Sequence, residues 1–152
     1  MTEVSHEHFM DLALAEAAKA LALDEVPVGA IVVGAAGDVI GRGHNCPIST
    51  KDPTGHAEIQ ALRHAARTAG NYRLTGATLY STVEPCLMCG GAIVHARIGR
   101  LVYGAPDPKA GAAGSIYNVL VDPRLNHVVD IVRGVRDTES ARLLQDFFKK
   151  RR

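Results

Sequence analysis

Apolar and polar positions divide the chain into alternating helical and extended segments. In SHEHFMDLALAEAAKALAL, Phe9, Leu12, Ala13, Glu16 and Ala20 recur at helical spacing, which predicts a first helix before Leu23 with Ser5 as its cap. VPVGAIVVGAAGDVIGRGHN changes to two β-rich runs around a turn at Ala35 to Asp38, the pattern of an antiparallel hairpin. CPISTKDPTG is dense in turn formers and reads as a loop, and HAEIQALRHAARTAG reads as a second helix closed by Gly70. ATLYSTV is a third strand. PCLMCGGAIVHAR follows as a third helix with Pro85 at or near its first position, then RLVYGA as a fourth strand.

Beyond the small-residue loop PDPKAGAAGS come a short segment to Leu120 and a turn at DPRLN. HVVDIVRGV supplies a fifth strand, and TESARLLQDFFKKRR a final helix with an acidic start, as a helix N-terminus prefers. No linker, repeat or low-complexity tract separates these elements. The pattern predicts one α/β domain over residues 1–152, a central five-stranded mixed sheet with helices on both faces.

Composition narrows the class. The chain has 152 residues, 47% hydrophobic and 22% charged, within the range of a soluble domain with a sizeable core. Its apolar runs are shorter than the roughly 20 residues that cross a bilayer, so no membrane association is expected. The opening MTEVSHEHFM lacks the pattern of an export signal, and three cysteines are too few for a stapled secreted scaffold. A cytoplasmic location is expected, where thiols stay reduced. The net charge of +1 does not by itself announce a nucleic-acid binder. Local basic clusters exist at FFKKRR and around Arg63, Arg67 and Arg73, and the first reads most simply as a solvated helix end.

Cys86 and Cys89, three residues apart at the start of a predicted helix, can reach one ion. His56, at the start of another helix, supplies a third ligand. One imidazole and two thiolates leave the fourth position of a tetrahedral Zn²⁺ open, which is the pattern of a catalytic zinc. The N-termini of both helices favour thiolate over thiol. Glu58 is not needed as a ligand, and a carboxylate beside activated water can act as general base and then general acid. A redox Cys-x-x-Cys pair and a purely structural zinc are the competing readings; His-Ala-Glu upstream and the missing fourth ligand weigh against both.

HAE followed thirty residues later by PCLMC resembles the signature of the zinc-dependent cytidine deaminase superfamily. The likeness extends to the bacterial tRNA-specific adenosine deaminases through SHEHFM, EVPVGA, NCPI, DPTGHAEIQALR, NYRL, ATLYSTVEPCLMC, RIGRLVYGA, KAGAAGS, LNH and LLQDFF. It implies a cytidine deaminase-like three-layer α/β/α sandwich, a homodimer, and hydrolytic deamination of adenosine to inosine at the wobble position of a tRNA anticodon stem-loop. By the superfamily's established mechanism, His56, Cys86 and Cys89 would hold one Zn²⁺ per subunit. Zinc-bound hydroxide would attack C6, with Glu58 shuttling protons. Asn45 matches a position that contacts the flipped nucleotide, and Val28, Ala57 and Pro85 join it in the expected substrate site. Gly55, Cys46 and Ala110 depart from the family pattern but lie outside the four zinc-site positions.

KAGAAGS lacks the spacing of a nucleotide-phosphate loop and reads instead as an active-site rim. Lys109 is expected to meet a phosphate there, and Asp107 a ribose or neighbouring nucleotide. The rival functions are a deaminase of a free base such as guanine or cytosine, and a non-catalytic subunit that keeps the fold and metal. Glu58 disfavours the second.

Overall fold

The computed structural model describes residues 5–151. Its strands are β1 (Gly29–Val33), β2 (Val39–His44), β3 (Thr78–Val83), β4 (Arg100–Ala105) and β5 (Asp130–Val132). They form one mixed sheet in the order β2-β1-β3-β4-β5, with β1 antiparallel to β2 and β3 and the remaining pairs parallel. The helices are α1 (His6–Ala22), a single turn α2 (Pro47–Thr50), α3 (Ala57–Ala69), α4 (Leu87–His95) and α5 (Asp137–Lys149).

Side chains of a strand alternate between faces, and that alternation builds two cores. Ala30, Val32, Leu79, Leu101 and Tyr103 face one way and pack with Ala57, Ala61 and Ala65 of α3 and Ile93 of α4. Ile31, Val33, Tyr80 and Val102 face the other way, against Phe9, Met10 and Ala13 of α1. Because both faces are covered, β1, β3 and β4 are buried along nearly their whole length, the hydroxyls of Ser81 and Thr82 included. The expected layering and five-strand count are present. Ser5 caps α1 by accepting from the Glu7 N–H, and Gly70 closes α3 at φ 68°.

Three boundaries differ from expectation. The CPIST segment, read as loop, contains α2. The reason is distant in sequence: the buried carboxylate of Glu25 accepts the N–H groups of Ile48 (3.3 Å) and Ser49 (2.6 Å) and the Ser49 hydroxyl. Pro85 lies outside α4, since Cys86 is the N-cap and Leu87 the first helical residue. Of the fifth predicted strand, Asp130–Val132 forms the ladder with β4, and Gly134, at φ 79°, ends it and turns the chain toward α5. Residues 1–4 and Arg152, the last of the basic run, lie outside the described residues.

Two glycines of β2 place the helix that begins at the site. A Cβ at Gly41 would lie 2.4 Å from the Ala61 carbonyl oxygen, and one at Gly43 would lie 2.3 Å from that of Ala57. Backbone cannot yield as a flexible side chain does, so the close approach of α3 depends on these positions. Gly43→Ala is expected to cost about 1–3 kcal/mol, read as a lower urea midpoint at unchanged slope. It should also reduce activity, because α3 would carry His56 and Glu58 outward.

Glu25 supports a pH prediction. Burial alone would raise its carboxyl above the ordinary value of 4.5, but the Ser49 hydroxyl and the N–H groups of Ser49 and Ile48 outweigh this and hold it lower. A lowered folded-state pKa means the native state keeps the charge longer than the unfolded chain does. The contribution is therefore complete above about pH 4.5, the unfolded carboxyl value, and fades as pH falls through the lower folded value. Glu25→Gln is expected to lose about 2 kcal/mol at neutral pH, with the gap to the parent closing in acid. Denaturation series at several pH values would reveal it, and a gap that widened in acid would refute the assignment.

Candidate active site

Four chain segments meet at one end of the sheet. Val26 and Val28 lead into β1, Asn45 follows β2, Val83 to Cys86 leave β3, and Asp107 follows β4. This is the edge beyond the carboxyl ends of the parallel strands, where α/β sheets place their ligands. A cavity of about 220 Å³ lies there, lined by Val26, Val28, Asn45, His56, Glu58, Val83, Glu84, Cys86 and Asp107. The N–H of Asn45 donates to the Val28 carbonyl (3.0 Å), and that of Cys46 to Gly55 (2.8 Å). These two bonds hold Asn45 at the cavity, between the lead into β1 and the segment that enters α3.

His56 and Cys86 are the N-cap residues of α3 and α4, each with extended backbone and no side-chain cap bond. Both helix N-termini thus direct positive potential toward one spot. The His56 Nδ1 atom lies 3.5 Å from the Sγ atoms of both Cys86 and Cys89. All three donor atoms fall within 4.8 Å of one another. Zn–S and Zn–N bonds of about 2.3 and 2.1 Å at a tetrahedral angle give an N···S edge of about 3.6 Å, so the donor set fits zinc.

The three donors act strongly on one another. A hydrogen bond from Cys89, together with His56, pulls the Cys86 thiol down to about 4, and the same pairing with burial pushes the Cys89 thiol up. Two sulfurs this close cannot both ionise without a compensating positive charge. Glu58, second residue of α3, is 4% exposed. Burial raises its carboxyl to about 7, against the opposing pull of its own N–H and of His56. A buried carboxylic acid poised near neutrality can both take and give a proton.

The cavity contains His56, Glu58, Cys86, Asn45, Val28 and Asp107 of the expected set, and buried Cys89 completes the donor cluster. Lys109 lies just outside, on a larger groove of about 700 Å³ that shares Val26, Val28, Val83 and Asp107 with the cavity and runs toward Phe148 and Arg151 of the C-terminal segment. The Ala57 side chain belongs to the core, and Pro85 is buried between β3 and the Cys86 cap. Arg151 pairs with Asp24 and stacks over the Phe147 ring at 3.6 Å, so this end of the basic run is tethered. Val26, Val83 and Glu84 were not singled out by sequence reading. Glu84 alone carried a signal, a carboxylate directly before Pro-Cys-x-x-Cys.

The profile of the MafB19-like deaminase family matches residues 4–152. A tRNA-specific adenosine deaminase of Haemophilus influenzae is 51% identical over 146 residues, covering 96% of this chain and 84% of that protein. A solved structure from studies of A-to-I editing by tRNA:A34 deaminases at the wobble position of transfer RNA superposes with a TM-score of 0.86. It is 48% identical, and the match covers 90% of this chain and 99% of that one. A guanine deaminase from Nitrosomonas europaea superposes at 0.83 over 97% of this chain and 86% of its own, but at 22% identity that likeness shows the fold alone. With a deaminase profile along almost its full length and such similarity to named enzymes, the chain belongs to the tRNA-specific adenosine deaminases of the MafB19-like deaminase family.

Proposed function

We propose that this protein is a zinc-dependent hydrolase that converts adenosine to inosine at the wobble position of a tRNA anticodon, consuming water and releasing ammonia. The observation that carries this reading is a buried carboxyl, Glu58, beside three donors that could hold a metal, in one cavity. The 51% identity to a tRNA-specific adenosine deaminase supports the choice of substrate.

His56, Cys86 and Cys89 would hold the zinc, which when bound lowers the pKa of a water and so supplies the nucleophile. Glu58 would take a proton from the water that adds to C6 and deliver it to N1 of the adenine ring. A second transfer through the same carboxylate goes to the departing amino group. Val26, Val28 and Val83 offer apolar walls to the purine, and Asn45 offers both a donor and an acceptor. Ala57 contributes through its backbone, and Pro85, whose carbonyl accepts the Ala112 N–H, through the rim that it helps to hold. Asp107 meets the ribose or a neighbouring nucleotide, and Lys109 on the adjoining groove meets a phosphate. An anticodon loop is a suitable source of the base, because extruding a nucleotide from a loop forfeits less stacking and pairing than from a duplex.

Two copies of the chain form the active particle in this reading. Support comes from an apolar cleft of about 370 Å³ between α3 and α4, lined by Ile59, Leu62, Ala66, Tyr72, Ala92 and Ala96 among others. A tRNA substrate agrees with a cytoplasmic location, and among the described residues no helix is long and apolar enough to cross a membrane. The substrate assignment is tested by offering the purified protein an anticodon stem-loop beside free adenosine, adenine, guanine and cytosine. Deamination of the RNA is expected. Turnover of a free base alone would transfer the same chemistry to a metabolic substrate.

A further inference from the structure

We propose that Glu84 is a positioning residue, a buried carboxylate on which the pocket rim from Asp107 to Ser115 is assembled and which thereby sets substrate affinity. The inference rests on the deaminase reading above. Glu84 is 3% exposed, and both of its oxygens are committed to the rim. Oε1 accepts the Asp107 N–H (3.0 Å) and the Ser115 hydroxyl (2.5 Å), while Oε2 accepts the N–H groups of Ala113 (2.9 Å) and Ser115 (3.1 Å). Gly111 lies against the carboxyl carbon, where a Cβ would come within 2.3 Å, and the Ala112 N–H donates to the Pro85 carbonyl (2.8 Å).

Convergent N–H donors in a loop of small residues form a nest for an anion. Here the protein's own carboxylate fills that nest, so this loop is a built wall and not a cradle for a substrate phosphate. Asp107 is the residue through which the hold reaches substrate. Its N–H is fixed on Glu84, and its Oδ1 accepts the N–H groups of Lys109 (3.1 Å) and Ala110 (3.2 Å). Glutamine cannot replace Glu84 well, because its amide would set N–H against N–H or O–H on one side.

The test uses the zinc-loaded enzyme and an anticodon stem-loop, with Glu84→Gln, Asp107→Ala, the double variant, and Ser115→Ala as a milder change at an exposed position. Glu84→Gln is expected to raise KM about tenfold, with kcat within about threefold of the parent. Zinc content should be unchanged. The double variant should be no worse than the worse single, since both act through one contact. Ser115→Ala should shift KM in the same direction by about threefold. Amide hydrogen exchange should speed up at Asp107, Ala113 and Ser115 in Glu84→Gln and stay slow in β1 and β3. Additive KM effects, unchanged exchange at those three amides, or loss of zinc with activity would each overturn the proposal. Parent-like KM in Asp107→Ala would overturn the route through Asp107. An inactive parent protein would instead overturn the deaminase reading.

Discussion

Replacing Glu58 by Ala is expected to lower kcat by about 10²–10⁴-fold while each chain still binds one zinc ion. The expectation follows from position. Glu58 is buried beside the donor cluster without belonging to it, so on the proposed mechanism its removal takes away the proton carrier and leaves the three candidate metal donors in place. Burial holds its carboxyl at about 7, which is useful for catalysis and costly for folding. Thermal stability of Glu58→Ala should therefore be retained or increased. Glu58→Gln should be as inactive, since an amide keeps the shape and cannot carry a proton. Steady-state kinetics and metal analysis on the same preparation decide the matter, and surviving turnover would remove Glu58 from the mechanism.

The second large effect concerns the metal. His56→Ala and Cys89→Ala are each expected to lose zinc and all measurable turnover, because only three protein donors converge there among the described residues. Metal binding to the native state alone also stabilises the fold. A chelator should therefore lower the melting temperature of the parent and leave that of either variant unchanged. Cys46→Ala is the control. Its sulfur is buried near the Thr50 hydroxyl, 3.8 Å away, and stands apart from the cluster, so zinc content and turnover should persist. Zinc loss in the control would mean that a different set of thiols holds the metal.

His56, Glu58, Cys86 and Cys89 were legible from sequence because their chemistry is distinctive and each pair is local, two or three residues apart at a helix start. The sheet and its covering helices were legible for a similar reason: strand alternation and helical spacing are short-range signals. What escaped depends on residues distant in the chain. The turn of helix at Pro47–Thr50 is stabilised by Glu25, and nothing within CPIST itself distinguishes it from a loop. Gly41 and Gly43 read simply as strand glycines until α3 is seen lying against them. Glu84 is unremarkable beside a cysteine pair until the Asp107–Ser115 rim folds over it. Lys109 was expected at the substrate site, but only the three-dimensional course of the rim separates the cavity from the outer groove that it lines.

The most direct test is to incubate the zinc-loaded protein with an anticodon stem-loop carrying adenosines at the wobble position and elsewhere in the loop, then map the product by mass spectrometry of RNA fragments. The proposed function predicts inosine at the wobble adenosine, with the other adenosines intact and no inosine formed by Glu58→Ala. Unchanged RNA at full zinc occupancy, or deamination spread evenly over the loop, would contradict it.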